Sequence, residues 1–275
     1  MHIIVPIKQV PESSNVMLDP ETGTMLRTAV EGVLNPLDLY AIEAALQLRE
    51  QKGGKVTAIS MGPPKAESAL RDAIAMGCDA AVLLSDRRFG GSDTWATSYA
   101  LSLAIQKLAP FDLVICGERA TDGETGQVGP GIAASLDLPV ATYVCQVAEA
   151  GDDYLRLVRL VEGGRELIWS PLPMVMTVQK EIGTPRLGTV RSKMLARKVE
   201  IPVWGPDEIG AKDEWIGLKG SPTRVVKVYS PKLSRNGKIF SANNPEEVEK
   251  AARAFTQFLK DRELTVHIPK FNGGN

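Results

Sequence analysis

A strand, a glycine-rich loop and a helix start follow one another in Asp112-Leu-Val-Ile-Cys-Gly-Glu-Arg-Ala-Thr-Asp-Gly-Glu-Thr-Gly-Gln-Val-Gly-Pro-Gly131. The apolar residues from Leu113 to Cys116 predict a buried strand, and the loop begins at Gly117. In α/β proteins this arrangement binds phosphate, because backbone N–H groups point into the loop and the helix N-terminus adds about half a positive charge. Glycine also lets the backbone approach a ligand closely. The segment therefore predicts a phosphate-binding turn in an α/β fold.

This loop differs from two common phosphate-binding motifs. It has neither the Lys-Ser/Thr pair of a Walker A loop nor a G-x-G-x-x-G sequence. One alternative is a connection that merely needs flexible residues. Its hydroxyl, amide and carboxyl side chains are too dense for a simple turn, however, and favour a ligand-binding loop; they are Thr121, Asp122, Glu124, Thr125 and Gln127.

The first 140 residues alternate between predicted strands and helices. Apolar strands are predicted at 3–7, 56–60 and 80–84 as well as at 113–116. Continuous apolar strands separated by helices indicate a parallel sheet covered on both faces. The predicted fold is therefore α/β, with a Rossmann-like parallel sheet in a three-layer α/β/α arrangement.

Two helix starts are well marked in this part of the chain. Asn35 is predicted to cap the helix that follows it, and Ser92-Asp93 is predicted to cap a helix that runs to about Leu108. Ligands of such sheets lie beyond the carboxyl ends of the strands. That rule places four segments around one crevice, namely 6–8, 61–62, 85–93 and 117–131.

The pattern changes after residue 140. Three consecutive antiparallel strands are predicted at 142–148, 154–161 and 165–169, and one more apolar strand at 174–178 is expected back in the main sheet. Residues 202–240 are rich in Pro, Gly and Lys and predict an extended arm. A final helix is predicted to begin after Asn244, which caps it, with Glu247 completing a capping box.

Residues 185–199 carry several basic side chains and no acidic one until Glu200. Met194-Leu195 lies within this run. A solvated basic loop and a docking loop with an apolar anchor and a charged rim are both consistent with the pattern.

Composition excludes several classes of protein. The formal net charge is -1 and aromatic residues make up 5% of the chain, which argues against nucleic-acid binding. No apolar window is long enough to span a membrane, and no secretory signal is predicted. With only two histidines, neither a metal site nor a histidine-based catalytic site is expected. The three scattered cysteines fit a reducing, cytoplasmic location and are interpreted as buried structural thiols.

Four stretches together resemble the β subunit of electron transfer flavoprotein. They are Val5-Pro-Ile-Lys-Gln-Val-Pro11, Asn35-Pro-Leu-Asp-Leu-Tyr-Ala-Ile-Glu-Ala-Ala45, Ala120-Thr-Asp-Gly-Glu-Thr-Gly-Gln-Val-Gly-Pro130 and Pro185-Arg-Leu-Gly-Thr-Val-Arg-Ser-Lys-Met-Leu195. The resemblance covers residues 1–200 in order. Each stretch alone is a weak signal, whereas the combination is specific.

The resemblance implies a division of the chain and a partner. Residues 1–200 would form an α/β domain that binds an adenine nucleotide or FAD, with a partner-recognition loop at about 185–199. Residues 201–275 would form a C-terminal arm and helix that contact an α subunit, which carries its own FAD. The residues that match the recognition loop, and would bind a partner, are Arg191, Lys193, Met194 and Leu195.

Members of this family fall into two branches. In one branch the β subunit holds only AMP and serves acyl-CoA dehydrogenases. In the other, electron-bifurcating branch, the β subunit holds FAD and takes electrons from NADH. The Gly126 and Val128 positions of the loop, and the segment Asp86-Arg-Arg-Phe-Gly-Gly-Ser-Asp-Thr-Trp-Ala-Thr-Ser98, resemble the second branch. FAD is therefore predicted in preference to AMP.

The resemblance also assigns parts of the cofactor to residues. The adenine and ribose would contact Pro6, Asn35, Met61, Gly117 and Glu118. The diphosphate would contact Thr121, Asp122, Gly123, Glu124, Thr125, Gln127 and Val128. The flavin ring and the nicotinamide would contact Phe89, Gly91, Ser92, Thr94 and Thr97. Asp122 is alternatively interpreted as a structural residue like a helix N-cap, and Trp95 and Tyr99 are interpreted as helix core.

Three functions follow, and they need different cofactors. In the first, FAD held here takes electrons from NADH and divides them between the α-subunit flavin, which serves an acyl-CoA or similar flavin dehydrogenase, and ferredoxin or flavodoxin. No catalytic acid or base in the protein is required, because the cofactor supplies the chemistry. In the second, an AMP-binding β subunit serves as a docking partner. In the third, the chain binds an adenine nucleotide without any redox role.

Overall fold

The computed structural model describes residues 1–12, 32–226 and 237–262. The strands of these ranges are β1 (His2–Pro6), β2 (Gln9–Pro11), β3 (Gly32–Leu34), β4 (Lys55–Met61), β5 (Ala80–Leu84), β6 (Leu113–Gly117), β7 (Val140–Ala150), β8 (Tyr154–Val161), β9 (Gly164–Pro171), β10 (Met174–Val178) and β11 (Val203–Trp204). The α-helices are α1 (Asp38–Lys52), α2 (Glu67–Met76), α3 (Thr94–Lys107), α4 (Val128–Leu136), α5 (Val190–Ala196), α6 (Gly217–Gly220) and α7 (Pro245–Lys260).

One main sheet organises the first part of the chain, with the strand order β11-β5-β4-β1-β6-β10-β7-β8-β9. The strands from β11 to β7 run parallel to their neighbours. In β1, Ile3 and Val5 pack with α1 and α2 on one face, whereas Ile4 packs with α3 and α4 on the other. Because successive strand residues point to opposite faces, an unbroken apolar strand needs a cover on both. The predicted three-layer α/β/α fold is therefore confirmed.

The antiparallel addition differs from the prediction at its first strand. Strands β7, β8 and β9 form the expected antiparallel series. The beginning of β7, however, also pairs parallel to β10, so this long strand belongs to both parts of the sheet. The register with β10 shifts between Met176 and Val178. Opposite this shift, Tyr143 has a φ of 58°, and its backbone N–H donates to Thr177 Oγ1 at 3.0 Å.

The helix starts agree with the sequence in two cases and differ in one. Asp93 caps α3 by accepting a hydrogen bond from the Ala96 N–H, and Asn244 caps α7 by accepting one from the Glu247 N–H. Asn35 does not cap α1, whose N-cap is Leu37 without a side-chain hydrogen bond. That prediction was wrong because the Asn35 amide is used elsewhere, in the loop after β6.

The segment predicted as the start of an arm belongs in part to the α/β domain. Strand β11 extends the main sheet next to β5, and α6 follows a short 3-10 turn at Asp213–Trp215. The compact unit runs from Met1 to Val228, beyond the predicted boundary at residue 200. A second unit, Tyr229–Asn275, contains α7. Within the described ranges, no helix has both the length and the apolar character needed to cross a bilayer.

Candidate functional site

A cavity of about 1040 Å³ lies beyond the carboxyl ends of the parallel strands. Its wall includes Pro6 at the end of β1, Met61 at the end of β4, Ser85 after β5 and Gly117 at the end of β6. These are four of the segments that the strand-end rule placed around one crevice. Its volume is at the upper end of the range of about 300–1,000 Å³ that is usual for ligand pockets.

Two helices begin at the wall of this cavity. Thr94 and Thr97 line it from the first turns of α3, and Val128 and Gly129 line it from the first turn of α4. The free N–H groups and positive dipole end of α4 favour an anionic ligand, whereas the Asp93 carboxylate already caps the first turn of α3. The two helices pack closely, because a Cβ added at Gly131 would lie 2.4 Å from Ser98 Oγ.

Asn35 shapes the loop after β6. Its side chain is completely buried; Nδ2 donates to the Arg119 carbonyl at 2.9 Å, and Oδ1 accepts from the Thr121 N–H at 3.3 Å. A buried amide satisfied in this way fixes the backbone on which the loop depends. Asn35 therefore lines the cavity and also holds the loop that forms part of its wall.

Asp38 is a buried carboxyl at the base of the same loop. Its Oδ2 accepts a hydrogen bond from the Lys8 N–H at 2.8 Å. A Cβ at Gly117 would lie 2.3 Å from Asp38 Oδ1, so only glycine allows β6 to pass this close. Desolvation raises the pKa of Asp38 to about 7, although the hydrogen bonds from Lys8 and Asn35 oppose that rise.

The thiols behave as buried structural groups. Cys78, Cys116 and Cys145 are free and buried. Burial raises the pKa of Cys78 to about 12 and also raises that of Cys116, which borders the cavity. A thiol with a raised pKa is a poor nucleophile at neutral pH.

The structure brings all but three of the predicted cofactor-binding residues to the wall of the cavity. Those that line it are Pro6, Asn35, Met61, Phe89, Gly91, Ser92, Thr94, Thr97, Gly117, Glu118, Gly123, Glu124, Thr125 and Val128. Their contacts with a cofactor stay a prediction.

Thr121, Asp122 and Gln127 do not line the cavity. The Asp122 carboxylate accepts a 2.6 Å ion-pair hydrogen bond from Lys8 Nζ, which fits its alternative interpretation as a structural residue. Gln127 precedes α4 at the N-cap position, and its exposed side chain makes no capping hydrogen bond. Alternation along an irregular loop has no fixed period, so sequence alone could not tell which side chains turn inward.

Sequence reasoning missed several charged residues in the wall. Lys8, Arg87 and Arg119 contribute positive charge to the lining, alongside Asp86 and the other acids. Lys8, Asp86 and Arg87 belong to segments that the strand-end rule had placed at the crevice. These residues were not predicted because the sequence of a short connection does not show which of its side chains point into the cavity.

Trp95 and Tyr99 lie outside the cavity wall. Trp95 is 48% exposed, so the prediction of helix core was wrong for it. Its ring stacks on Tyr99 at a centroid distance of 6.0 Å and meets Trp215 edge-on at 5.9 Å. Trp95, Tyr99 and Trp215 therefore form an aromatic cluster at the surface, and its third ring comes from a later segment of the chain.

The predicted recognition loop contains a short helix, α5. Arg191, Lys193, Met194 and Leu195 are all exposed on it. Leu187, just before the helix, is 92% exposed. This cluster of exposed apolar and basic side chains has the composition of a docking surface.

Two arginines hold this segment to the domain. Arg186 donates through Nε and Nη2 to both carboxylate oxygens of the buried Glu43, at 2.8 and 3.0 Å. Arg71 Nη1 donates to the Ala196 carbonyl at 2.6 Å, at the other end of the segment. Hydrogen bonds therefore attach α5 to the domain both before its first residue, through Arg186, and at its last residue, through the Ala196 carbonyl.

Comparison with known proteins identifies relatives that match most of the chain. A family model described as the electron transfer flavoprotein domain matches residues 22–209. The electron transfer flavoprotein subunit beta of Thermoanaerobacterium thermosaccharolyticum is 46% identical over 90% of this chain and 95% of the relative. Protein FixA of Azotobacter vinelandii is 42% identical over 94% of this chain and 95% of the relative. The caffeyl-CoA reductase-Etf complex subunit CarD of Acetobacterium woodii is 42% identical over 96% of this chain and all of the relative. With a parallel sheet, a cavity at its strand ends and these matches, the chain belongs to the electron transfer flavoprotein β-subunit family.

Proposed function

We propose that this chain, together with an α subunit, takes electrons from NADH at FAD held in the strand-end cavity. The two electrons of each NADH would be divided, one passing to the α-subunit flavin and its dehydrogenase and one to ferredoxin or flavodoxin. Such a carrier would act in the cytoplasm. The observation that supports this proposal most is that a single cavity is lined both by the loop after β6 and by residues of the segment 85–97.

One end of the cavity suits the adenosine part of the cofactor. Pro6, Met61 and Gly117 line it at the ends of the neighbouring strands β1, β4 and β6, and Asn35 lines it just after β3. The wall there combines backbone and apolar side chains with the buried polar groups of Asn35 and Asp38, which suits a flat base and a ribose. Glu118 offers a carboxylate to accept hydrogen bonds from ribose hydroxyls.

The loop and the start of α4 suit the diphosphate. Gly123 lines the cavity, and a Cβ added there would meet no protein atom within 4 Å. Nothing in the fold therefore requires glycine at this position, whereas a ligand close to the backbone would. The positive end of α4, which has no side-chain cap, offsets the acidic side chains nearby.

The other end suits a further ring system beyond the phosphates. Phe89, Gly91, Thr94 and Thr97 line this part of the wall. FAD carries an isoalloxazine ring beyond its diphosphate that would fill this part of the cavity, whereas AMP ends at its phosphate. The bound flavin supplies the hydride acceptance and single-electron transfer, and the protein supplies its position and surroundings.

The partners follow from the family and from the exposed helix. β subunits of this family imply an α subunit. CarD is named as part of a complex of Etf with caffeyl-CoA reductase, and it is 42% identical to this chain. A dehydrogenase acting on a CoA thioester is therefore the expected partner class, with Arg191, Lys193, Met194 and Leu195 as its proposed contact.

Anaerobic titration of the purified heterodimer with NADH tests this proposal. We expect NADH to bleach the flavin absorbance and, when a dehydrogenase acceptor is present, to reduce added ferredoxin. Flavin that is reduced by a dehydrogenase but not by NADH would instead indicate the AMP-binding type. A colourless chain that binds AMP and co-purifies with no α subunit would indicate the non-redox nucleotide-binding function.

A further inference from the structure

The wall at the Phe89 end of the cavity is held from outside by a later segment of the chain. We call residues 205–223 the strap. The Gly217 N–H donates to Ser92 Oγ at 3.0 Å, and the Leu218 N–H donates to the Gly90 carbonyl at 3.0 Å. Gly217 has a φ of 60°, and a Cβ there would lie 2.1 Å from the Arg88 carbonyl oxygen. The strap backbone therefore lies directly against the turn that lines the cavity.

A second set of contacts joins the strap to the start of α3. The Asp93 N–H donates to the hydroxyl of Ser221, which is buried, at 2.8 Å. Asp93 Oδ2 accepts from both the N–H and the hydroxyl of Thr223, at 2.9 and 2.7 Å. Its other oxygen, Oδ1, caps α3 by accepting from the Ala96 N–H at 3.1 Å. One carboxylate thus links the strap to the first turn of the helix that carries Thr94 and Thr97.

A third set of contacts lies at the other end of the turn. The Arg88 guanidinium donates to Asp207 Oδ2 at 2.7 Å and to Asp213 Oδ1 at 3.3 Å, both in the strap. It also pairs with Asp86 at 3.2 Å, within the turn itself. Each exposed pair is weak alone. Together with the Ser92 and Asp93 contacts they attach the turn to the strap along its whole length.

The adenosine end of the cavity has separate supports. Asn35, just before α1, donates to the Arg119 carbonyl in the loop after β6, and Asp38, the first residue of α1, accepts from the Lys8 N–H just after β1. Among the residues that the structure describes, no hydrogen bond joins the strap to the loop 117–127. The two ends of the cavity therefore have different outer supports, and a 3.3 Å hydrogen bond between Thr94 Oγ1 and Thr125 Oγ1 joins them directly.

We infer that Ser221 and Thr223 are positioning residues for the ring-binding end of the cavity, and that the strap lets this site hold FAD more tightly than a nucleotide without a flavin. The inference rests on the proposed function, because it concerns the ring that the proposed cofactor carries beyond its diphosphate. Without these hydroxyls, the start of α3 and the turn at 86–93 lose their outer support. The adenosine and diphosphate contacts remain.

Calorimetric titration of the full-length chain with FAD and, separately, with ADP tests this inference. The test variant combines Ser221→Ala with Thr223→Val, and Thr223→Ser alone keeps the hydroxyl. Ser135→Ala, an exposed serine of α4 that bonds only to the Gly131 carbonyl, is the matched control. Because the double variant loses the hydroxyl contacts of both residues with Asp93, we expect it to bind FAD about tenfold more weakly, which is equivalent to about 1.4 kcal/mol. Its affinity for ADP should stay unchanged, and Thr223→Ser and the control should match the wild type.

Two results overturn the inference while leaving the proposed function intact. In one, the double variant binds FAD as tightly as the wild type does. In the other, FAD and ADP weaken by the same factor, which would show a general structural role of the strap. A wild-type chain that binds ADP but gains no affinity from the riboflavin part of FAD would overturn the proposed function, and this inference with it.

Discussion

Replacing Arg186 with methionine removes the side chain that ties the exposed helix α5 to helix α1. Glu43, its main partner, is 4% exposed, and both of its carboxylate oxygens accept from Arg186. Arg186→Met leaves that buried carboxylate with the Gln47 amide, at 2.9 Å, and the Arg186 backbone N–H, at 3.0 Å.

The loss of stability in Arg186→Met depends on the hydrogen bonds that Glu43 keeps. Removing one partner of a buried ion pair costs roughly 3–5 kcal/mol. Two hydrogen bonds to Glu43 survive and Arg186 is partly exposed, so we expect a loss of about 2–3 kcal/mol in the free energy of unfolding. For a domain of this size that corresponds to a fall of roughly 5–10 °C in the melting temperature measured by calorimetry.

The effect should depend on pH in a defined direction. Burial acts to raise the pKa of Glu43, but the hydrogen bonds from Arg186 and Gln47 outweigh it and hold the pKa below its ordinary value. In the wild type, the stabilisation is therefore present at neutral pH and is lost as the pH falls through that lowered pKa. In Arg186→Met, fewer hydrogen bonds oppose the effect of burial on the pKa of Glu43, so the buried carboxylate is protonated, and its charge removed, at a higher pH than in the wild type. The difference between the two proteins should be largest near pH 7 and shrink towards pH 4.

A double-mutant cycle gives the decisive comparison. Arg186→Met combined with Glu43→Gln removes the stranded charge and should recover most of the lost stability. Electron transfer to the partner dehydrogenase should stay impaired in both variants, because α5 has lost its attachment, while nucleotide binding stays normal. If the double variant is as unstable as the sum of the single ones, the ion pair is not what holds this segment and the reasoning is refuted.

Three further predictions concern the cavity. Gly123→Ala should weaken nucleotide binding at least about tenfold, by loss of close phosphate contact, without changing the melting temperature. Gly164→Ala, at an equally open glycine that begins β9, should change neither property. Asp93→Ala should lower the free energy of unfolding by about 1–2 kcal/mol through the lost cap of α3. Burial acts to raise the pKa of Asp93, but its hydrogen bonds hold that pKa below the ordinary value. The loss of stability in Asp93→Ala should therefore be present at neutral pH and vanish as the pH falls through the lowered pKa. Chemical denaturation at a series of pH values measures this change. The buried Asp38 should contribute a loss of stability as the pH rises from about 4 towards about 7, because the unfolded chain releases this proton near pH 4 and the folded chain only near pH 7; over that range the stability of ligand-free Asp38→Asn should therefore rise relative to the wild type, and parallel profiles would contradict the assignment.

The fold could be predicted from sequence because its signals are local. Apolar runs such as 113–116 mark the central strands, and Asp93 marks a helix start by its own chemistry. The strand-end rule then located the cavity without any knowledge of side-chain contacts. These features depend on residue type and spacing, which a single sequence contains.

The features that could not be predicted depend on contacts between distant residues. Asn35 looks like a helix cap, but its amide bonds to Arg119 and Thr121, more than eighty residues away. Trp95 looks like helix core until Trp215 is placed beside it. The strap looks like an arm because its polar, glycine-rich composition gives no sign of the turn on which it packs.

The cofactor content of the native complex tests the central claim most directly. The chain is purified with its α subunit, the complex is denatured in acid, and the released nucleotides are identified and counted by chromatography and mass spectrometry. We predict one further FAD for each FAD that the α subunit carries, and no AMP. AMP in place of that second FAD, or no nucleotide beyond the α-subunit flavin, would contradict the account.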